Sequence, residues 1–376
     1  MIYFDNAATS FPKPKIVAKE VAACIGQWCG NPGRGAHELS RKAAEKIYAT
    51  RESLSSFFGV KAPERIVFLQ NTTMALNIAL KGMLCPGDHV LCSELEHNAV
   101  IRPLEALKKT KGVTFDTFPV LGRTPEEIIS SISERKKENT AAIVCLHASN
   151  ICSVTLPLEK IGSFCQKNNL RFIVDAAQSA GHLPIDMQKM HIDALAAPAH
   201  KGLLGIPGCG ILALGEHVKL QTVIEGGSGL DSLSRSMPND LPERLEAGTL
   251  PVCAIAGLSG GLSFLKDFGT HELETRTKSL FFAARERLET LGGYKIYQKD
   301  TPGSVLLFNR EGVPSTALAR ILDHEGICVR AGLHCAPMAH KALATSEGGG
   351  VRLGFGIFNT VKELDTLFAA LRKNFS

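Results

Sequence analysis

Up to about residue 250, short β-branched runs alternate with stretches of helical apolar spacing, and this limits the fold more than any other feature. Ile66-Val67-Phe68-Leu69 reads as a buried strand. Residues 76–84 follow with helical spacing, closed by Pro86-Gly87-Asp88. His89-Val90-Leu91-Cys92 is the next strand, and Ala141 to Leu146 and Arg171 to Val174 are two more, with a helix from Leu158 to Asn168 between these last two. Strands joined by helices predict an α/β fold with a mostly parallel sheet, covered on both faces.

In such a sheet, ligands bind just past the C-terminal ends of the strands. Polar clusters fall at those points: Asn71-Thr72-Thr73, Glu94 to His97, His147 to Asn150, and Asp175 with Gln178. Four such coincidences are more than packing explains. Gly202 to Leu212 reads as a hairpin or a tight turn into a strand. Beyond about residue 250 the pattern changes. A helical stretch over 252–291 leads to a strand at 304–309, a helix at 315–325, a strand at 327–330, a loop with Cys335, a strand at 350–355 and a closing helix, which together read as a second, smaller α/β domain. A length of 376 residues accommodates two domains at ~100–200 residues each.

Composition excludes several classes. The net charge of +5 is mild for this length, and the densest basic runs (Lys108 to Lys111, Arg135 to Lys137) sit at expected helix ends, so they read as solvated faces and not as a nucleic-acid surface. No apolar run reaches the ~18 residues of a membrane span, and the first residues lack the basic-then-apolar order of a signal peptide. The eleven cysteines are odd in number and show no CxxC or zinc-type spacing. They are expected to act mostly as small core residues in a reducing cytoplasm, with no metal site.

Six positions carry chemistry. Asn71-Thr72-Thr73, at a strand-to-helix turn, offers backbone N–H groups and hydroxyls to an anion; an ordinary helix cap is the simpler alternative. Asp175 ends an apolar strand, where it can pair with a protonated ring nitrogen or cap the next helix. Lys201 sits between apolar residues and a Gly-rich turn; a buried lysine has a lowered pKa and forms Schiff bases, whereas most lysines are solvated. Cys335 lies in Arg330-Ala331-Gly332-Leu333-His334-Cys335-Ala336-Pro337, where Arg330 and His334 are expected to favour its thiolate. Arg352, in a glycine-flanked apolar strand, needs either a planar carboxylate ligand or an internal salt bridge. His97 can stack on a planar ring, move protons, or simply satisfy a loop.

The order of these signals along the chain resembles the class V aminotransferase superfamily (PLP fold type I), and within it the branch of cysteine desulfurases and selenocysteine lyases. The resemblance runs from Tyr3-Phe4-Asp5-Asn6-Ala7-Ala8 to Asn359-Thr360. It is strongest at Asp175-Ala176-Ala177-Gln178-Ser179, His200-Lys201, Glu246-Ala247-Gly248-Thr249 and the Cys335 loop. That loop is similar to those of desulfurases serving iron–sulfur assembly and of selenocysteine lyases.

The resemblance implies a large domain over 15–250 with a mostly parallel seven-stranded sheet, and a small domain built from 1–14 and 251–376. It implies pyridoxal 5′-phosphate (PLP) held by Lys201, with Asp175 on the ring nitrogen, Gln178 facing the ring oxygen and His97 stacked on the ring. Thr72, Thr73 and His200 would bind the phosphate, joined by Thr249 from the other subunit of a homodimer. Asn150 and Arg352, with help from Arg330, would hold the substrate carboxylate, and Cys335 would accept sulfur from L-cysteine, or selenium from L-selenocysteine. A sulfur-accepting protein is the implied partner. The segment Asn31 to His37, including Arg34, matches the family's entrance region.

Three places depart from the pattern: Met74, the Asn150-Ile151-Cys152-Ser153 run with no glycine, and Ala197-Pro198-Ala199 before His200. Selenocysteine lyase, another class V reaction such as a transaminase or kynureninase, and a catalytically quiet scaffold for a sulfur carrier stand as alternatives.

Overall fold

A computed structural model describes residues 1–33, 35–229 and 233–375; Arg34 of the expected entrance segment lies outside them. After the short β1 (Ile2–Tyr3), seven strands build the main sheet: β2 (Ile66–Leu69), β3 (His89–Ser93), β4 (Thr114–Phe118), β5 (Thr140–Leu146), β6 (Arg171–Asp175), β7 (Ala194–Pro198) and β8 (Gly210–Leu214). Their spatial order is β2-β8-β7-β6-β5-β3-β4. Only β8 runs against its neighbours, so β2 points the same way as the parallel strands. The turn over 202–209 reverses the chain between β7 and β8, as a hairpin reading requires.

The strand cores β2, β3, β7 and β8 are buried at every residue, which is why they read as continuous apolar runs and not as alternations. Two apolar clusters lie on the sheet's two faces. One includes Phe68, Leu91, Ile143 and Phe172; the other includes Val67, Val90, Val144 and Ile173. Successive residues of one strand point to opposite faces, so each strand feeds both clusters. Each such large side chain contributes roughly 1.5–3 kcal/mol by leaving water.

The C-terminal region builds a four-stranded antiparallel sheet of order β12-β13-β10-β9, from β9 (Tyr294–Tyr297), β10 (Val305–Arg310), β12 (Arg330–Gly332) and β13 (Gly350–Gly354). The strand expected over 327–330 is split. β11 (Ile327–Cys328) leaves this sheet to pair in parallel with β1, while β12 pairs with β13. This ties the N-terminus into the C-terminal core, where Phe4 packs with Leu306, Phe308, Leu353 and Phe368. The helical stretch over 252–291 is two helices, Val252–Phe268 and Thr270–Leu291, parted by Gly269 at φ +90°, a backbone state that side chains oppose. The first of them packs its apolar face into the large core and the second into the small one. Among the described residues no helix is long and apolar enough to cross a membrane.

Candidate active site

Because β2, β3, β5, β6 and β7 run the same way, their C-terminal ends share one edge of the sheet. The turns after them carry Asn71 to Thr73, His97, Asn150, Asp175 with Gln178, and His200 with Lys201, and these line one cavity of about 140 Å³. The sequence pattern marked four of these ends; the fifth belongs to Lys201.

At one end of the cavity, Asn71 caps helix Thr72–Met83 by accepting the Met74 N–H at 2.9 Å. The capping alternative is therefore right for Asn71, and it leaves the helix N-terminus and both threonines turned to the cavity. Among the described residues, the buried Thr72 Oγ1 and His200 Nδ1 have no hydrogen-bond partner. Burial, reinforced by Lys201 and Lys13, holds His200 at about 4, so its ring is neutral. Orphaned polar groups at a helix N-terminus form a cradle for an anion such as a phosphate. Thr249 is exposed and lines a separate hollow with Arg51 and Glu246, not the cavity of its own chain. Its segment is pinned from below: Glu246 accepts from Phe68 N–H at 2.6 Å and from Arg51 Nη2 at 2.5 Å, both inside the core.

In the middle, Asp175 is buried at the end of β6 and accepts the Ala177 N–H at 2.9 Å. Burial raises its carboxyl above the usual range, against that bond and the charge of Lys201. Burial likewise lowers Lys201 to about 8, opposed by Asp175 and aided by Arg352 and Arg330. His97 caps helix Asn98–Lys111 through the Ala99 N–H at 3.0 Å; burial, then Lys201 and Arg330, hold it at about 4, so its ring is neutral too. Gln178 donates from Nε2 to the Ala7 carbonyl at 3.0 Å. A buried lysine amine, a buried carboxylate in reach of its field, a neutral imidazole and an anion cradle fit the carbonyl, ring nitrogen, ring face and phosphate of PLP.

At the other end, Arg352 is 1 % exposed. It donates to Asp5 Oδ1 at 2.7 Å and to the Asn150 carbonyl at 2.9 Å, while among the described residues its Nε and the Asn150 Oδ1 have no partner. The internal salt bridge is thus present, with donor and acceptor capacity left over beside it. Asp5, its counter-ion, carries no sequence signal of this role, because the pairing joins opposite ends of the chain.

Cys335 is exposed on the loop after β12, and both His334 (φ +49°) and Cys335 (φ +56°) are left-handed. For residues with a Cβ that costs on the order of 1–2 kcal/mol each. The loop is held by two cavity elements: Asn150 Nδ2 donates to the His334 carbonyl at 2.9 Å, and Asn98 N–H, next to His97, donates to the Cys335 carbonyl at 2.8 Å. His334 does not play the expected part. Its buried ring contacts His340 at 3.3 Å, and burial, then Arg352, hold it at about 3, so it supplies no positive charge to a thiolate.

Two further features were not singled out from sequence. Glu96 is fully buried between β3 and β5, accepting from Ser93 Oγ and Leu146 N–H, and burial raises it to about 8. Only its burial separates it from the exposed acids it resembles. The cysteines, expected to be scattered packing residues, are so at positions such as Cys92, Cys145 and Cys152; but Cys24, Cys29 and Cys253 meet in one cluster in a metal-compatible arrangement, a meeting of remote segments that no spacing rule detects.

The aminotransferase class-V family model matches residues 2–367, and the chain belongs to that family, whose members use pyridoxal phosphate. Within it, the chain is 31% identical to a probable cysteine desulfurase of Halalkalibacterium halodurans, over 99% of this chain and 93% of that protein. It is 30% identical to one of Pyrococcus abyssi, over 99% and 94%. The apo structure of a cysteine desulfurase from Thermococcus onnurineus superposes with a TM-score of 0.90 at 28% identity, covering 99% of this chain and 94% of that one. A cysteine desulfurase of Escherichia coli solved in an S-sulfonic acid form gives 0.89 at 26% identity, covering 99% and 94%.

Proposed function

We propose that this chain is a PLP-dependent cysteine desulfurase, converting L-cysteine to L-alanine and passing the sulfur through Cys335. The observation that carries the reading is the tie between Cys335 and the Lys201 cavity: the loop of the exposed, strained cysteine hangs from Asn150 and from the start of the helix that His97 caps.

Bound PLP supplies an electron sink for the pair left on the substrate when a bond at Cα breaks. Lys201 would hold the cofactor through Nζ, and its amine, of lowered basicity, is suited to take the Cα proton and return it. Asp175 supports positive charge on the ring nitrogen, and the mostly protonated Glu96 beside it adds no second negative charge at neutral pH. Thr72, Thr73 and His200 take the phosphate. The spare Nε of Arg352 and Oδ1 of Asn150 orient the substrate carboxylate and its amine side, with help from Arg330, whose charge reaches Lys201.

Sulfur transfer balances without an external oxidant. The Cys335 Sγ, as thiolate, bonds to the substrate sulfur, the Cβ–S bond breaks, and its electron pair stays with the carbon skeleton, which takes up a proton. The sum is enzyme thiol plus L-cysteine giving enzyme persulfide plus L-alanine. A second thiol, on an acceptor protein, then removes the outer sulfur by exchange. The exposed Thr249 completes the phosphate site of a partner copy in a homodimer, and the free cysteines fit a reducing, cytoplasmic setting.

The test is a visible spectrum of purified chain before and after L-cysteine, with sulfide and alanine assayed together and L-selenocysteine offered in parallel. A shifting cofactor band with both products supports the reading. A band that shifts with no sulfide, even with a thiol acceptor present, overturns it in favour of another class V reaction.

A further inference from the structure

Outside the Lys201 cavity, the first helix (Lys15–Ala23) and helix Val252–Phe268 pack closely enough that two glycines of the second face the first. A Cβ on Gly260 would lie 3.0 Å from the Val17 Cα, and one on Gly257 would lie 3.1 Å from the Val21 Cγ2. The pairs run in opposite order, Val17 with Gly260 and Val21 with Gly257, so the helices are antiparallel. One step further along the same stripe, Cys24 Sγ stands 3.7 Å from Cys253 Sγ. A single π-helical turn, Cys24–Trp28, then swings the chain back and brings Cys29 Sγ to 3.7 Å from Cys253 Sγ. All three sulfurs lie within 4.8 Å of one another. π-turns inside helical segments are rare and collect at functional sites.

The spacing discriminates between uses. At 3.7 Å the sulfurs are not disulfide-bonded, which needs about 2.05 Å. A tetrahedral zinc centre with Zn–S near 2.3 Å requires sulfurs about 3.8 Å apart. Three thiolates select thiophilic ions over magnesium or calcium, which take oxygen. Cys253 is the second residue of a 17-residue helix whose N-terminus has no side-chain cap, so the helix's positive end faces its sulfur. Burial, first of all, raises the Cys24 and Cys253 thiols above the usual range.

We propose that Cys24, Cys29 and Cys253 form a mononuclear site for a thiophilic divalent cation of zinc type, with its fourth position open to solvent beside the exposed Cys29. Binding exchanges protons for metal: three thiols and one dication give a tris-thiolate complex of charge −1 and three protons released to water. Water or an exogenous thiolate fills the fourth position. The ion clamps the segment that leads into Asn31 to His37 onto the helix that begins just after Thr249. This site is independent of the Lys201 chemistry.

The test uses the full, cofactor-loaded chain, reduced with a phosphine and titrated with Co²⁺. One equivalent should produce ligand-field bands of tetrahedral cobalt in the red, clear of the cofactor, and Zn²⁺ should abolish them. Cys29→Ser, at an exposed position that folding tolerates (checked by circular dichroism), should weaken cobalt binding at least tenfold, whereas Cys335→Ala should leave it unchanged. Two results overturn the proposal. One is absence of the bands in the reduced chain, with alkylation and mass spectrometry confirming that Cys24, Cys29 and Cys253 are free thiols. The other is bands that survive Cys29→Ser and Cys253→Ser.

Discussion

Around Lys201 the chain removes water: the amine, Asp175, Glu96, His97 and His200 are all shifted by burial, and each shift favours the neutral form. Around Cys335 it does the reverse. The thiol is exposed, its backbone is left-handed at two successive side-chain-bearing residues, and the neighbouring histidine is folded inward. The difference fits the two tasks proposed for these residues. Proton transfer to carbon needs groups whose protonation is set in advance by a dry, rigid frame. Accepting a sulfur atom and handing it to another protein needs a nucleophile that solvent and a partner can reach.

If that division holds, the two residues fail differently when removed. Lys201→Ala should abolish both the cofactor band that shifts with cysteine and alanine formation, a loss on the order of 10⁴-fold or more in kcat. A variant that keeps either would place the chemistry elsewhere. Cys335→Ala should keep the band and its response to cysteine while sulfide release falls by ~10²–10³-fold; loss of the band as well would show that the loop shapes the cavity and does not merely serve it. For the frame itself, Glu246→Ala strands Arg51 and the Phe68 N–H in the core and should cost about 3–5 kcal/mol in denaturant unfolding. A cost below ~1 kcal/mol would mean the frame beneath Thr249 does not depend on the pair.

The smallest effect is in pH. The reacting form of Lys201 is the neutral amine, and burial brings its pKa from 10.5 down to about 8. Uptake of PLP by the cofactor-free chain should therefore speed up about tenfold per unit up to pH 8 and level off above it. His97 and His200, near 4, stay neutral throughout that window. A rate still rising beyond pH 9.5 would show that the lysine is solvated.

Much of this was legible in the chain. The alternation of apolar strands and helices, and the polar residues at 71–73, 97, 150 and 175–178, depend on local periodicity and on the rule that parallel strands end on one edge; both survive in a linear sequence. Lys201 and Cys335 stood out through their neighbours, a glycine-rich turn and a short polar loop. What the sequence could not decide are meetings between remote segments: Asp5 with Arg352, β1 with β11, Arg51 with Glu246, and the three sulfurs of Cys24, Cys29 and Cys253. It also could not tell that Glu96 is held mostly protonated or that His334 turns inward, because charge state follows from burial. Burial is a property of packed surfaces, and packing joins residues without regard to their distance along the chain.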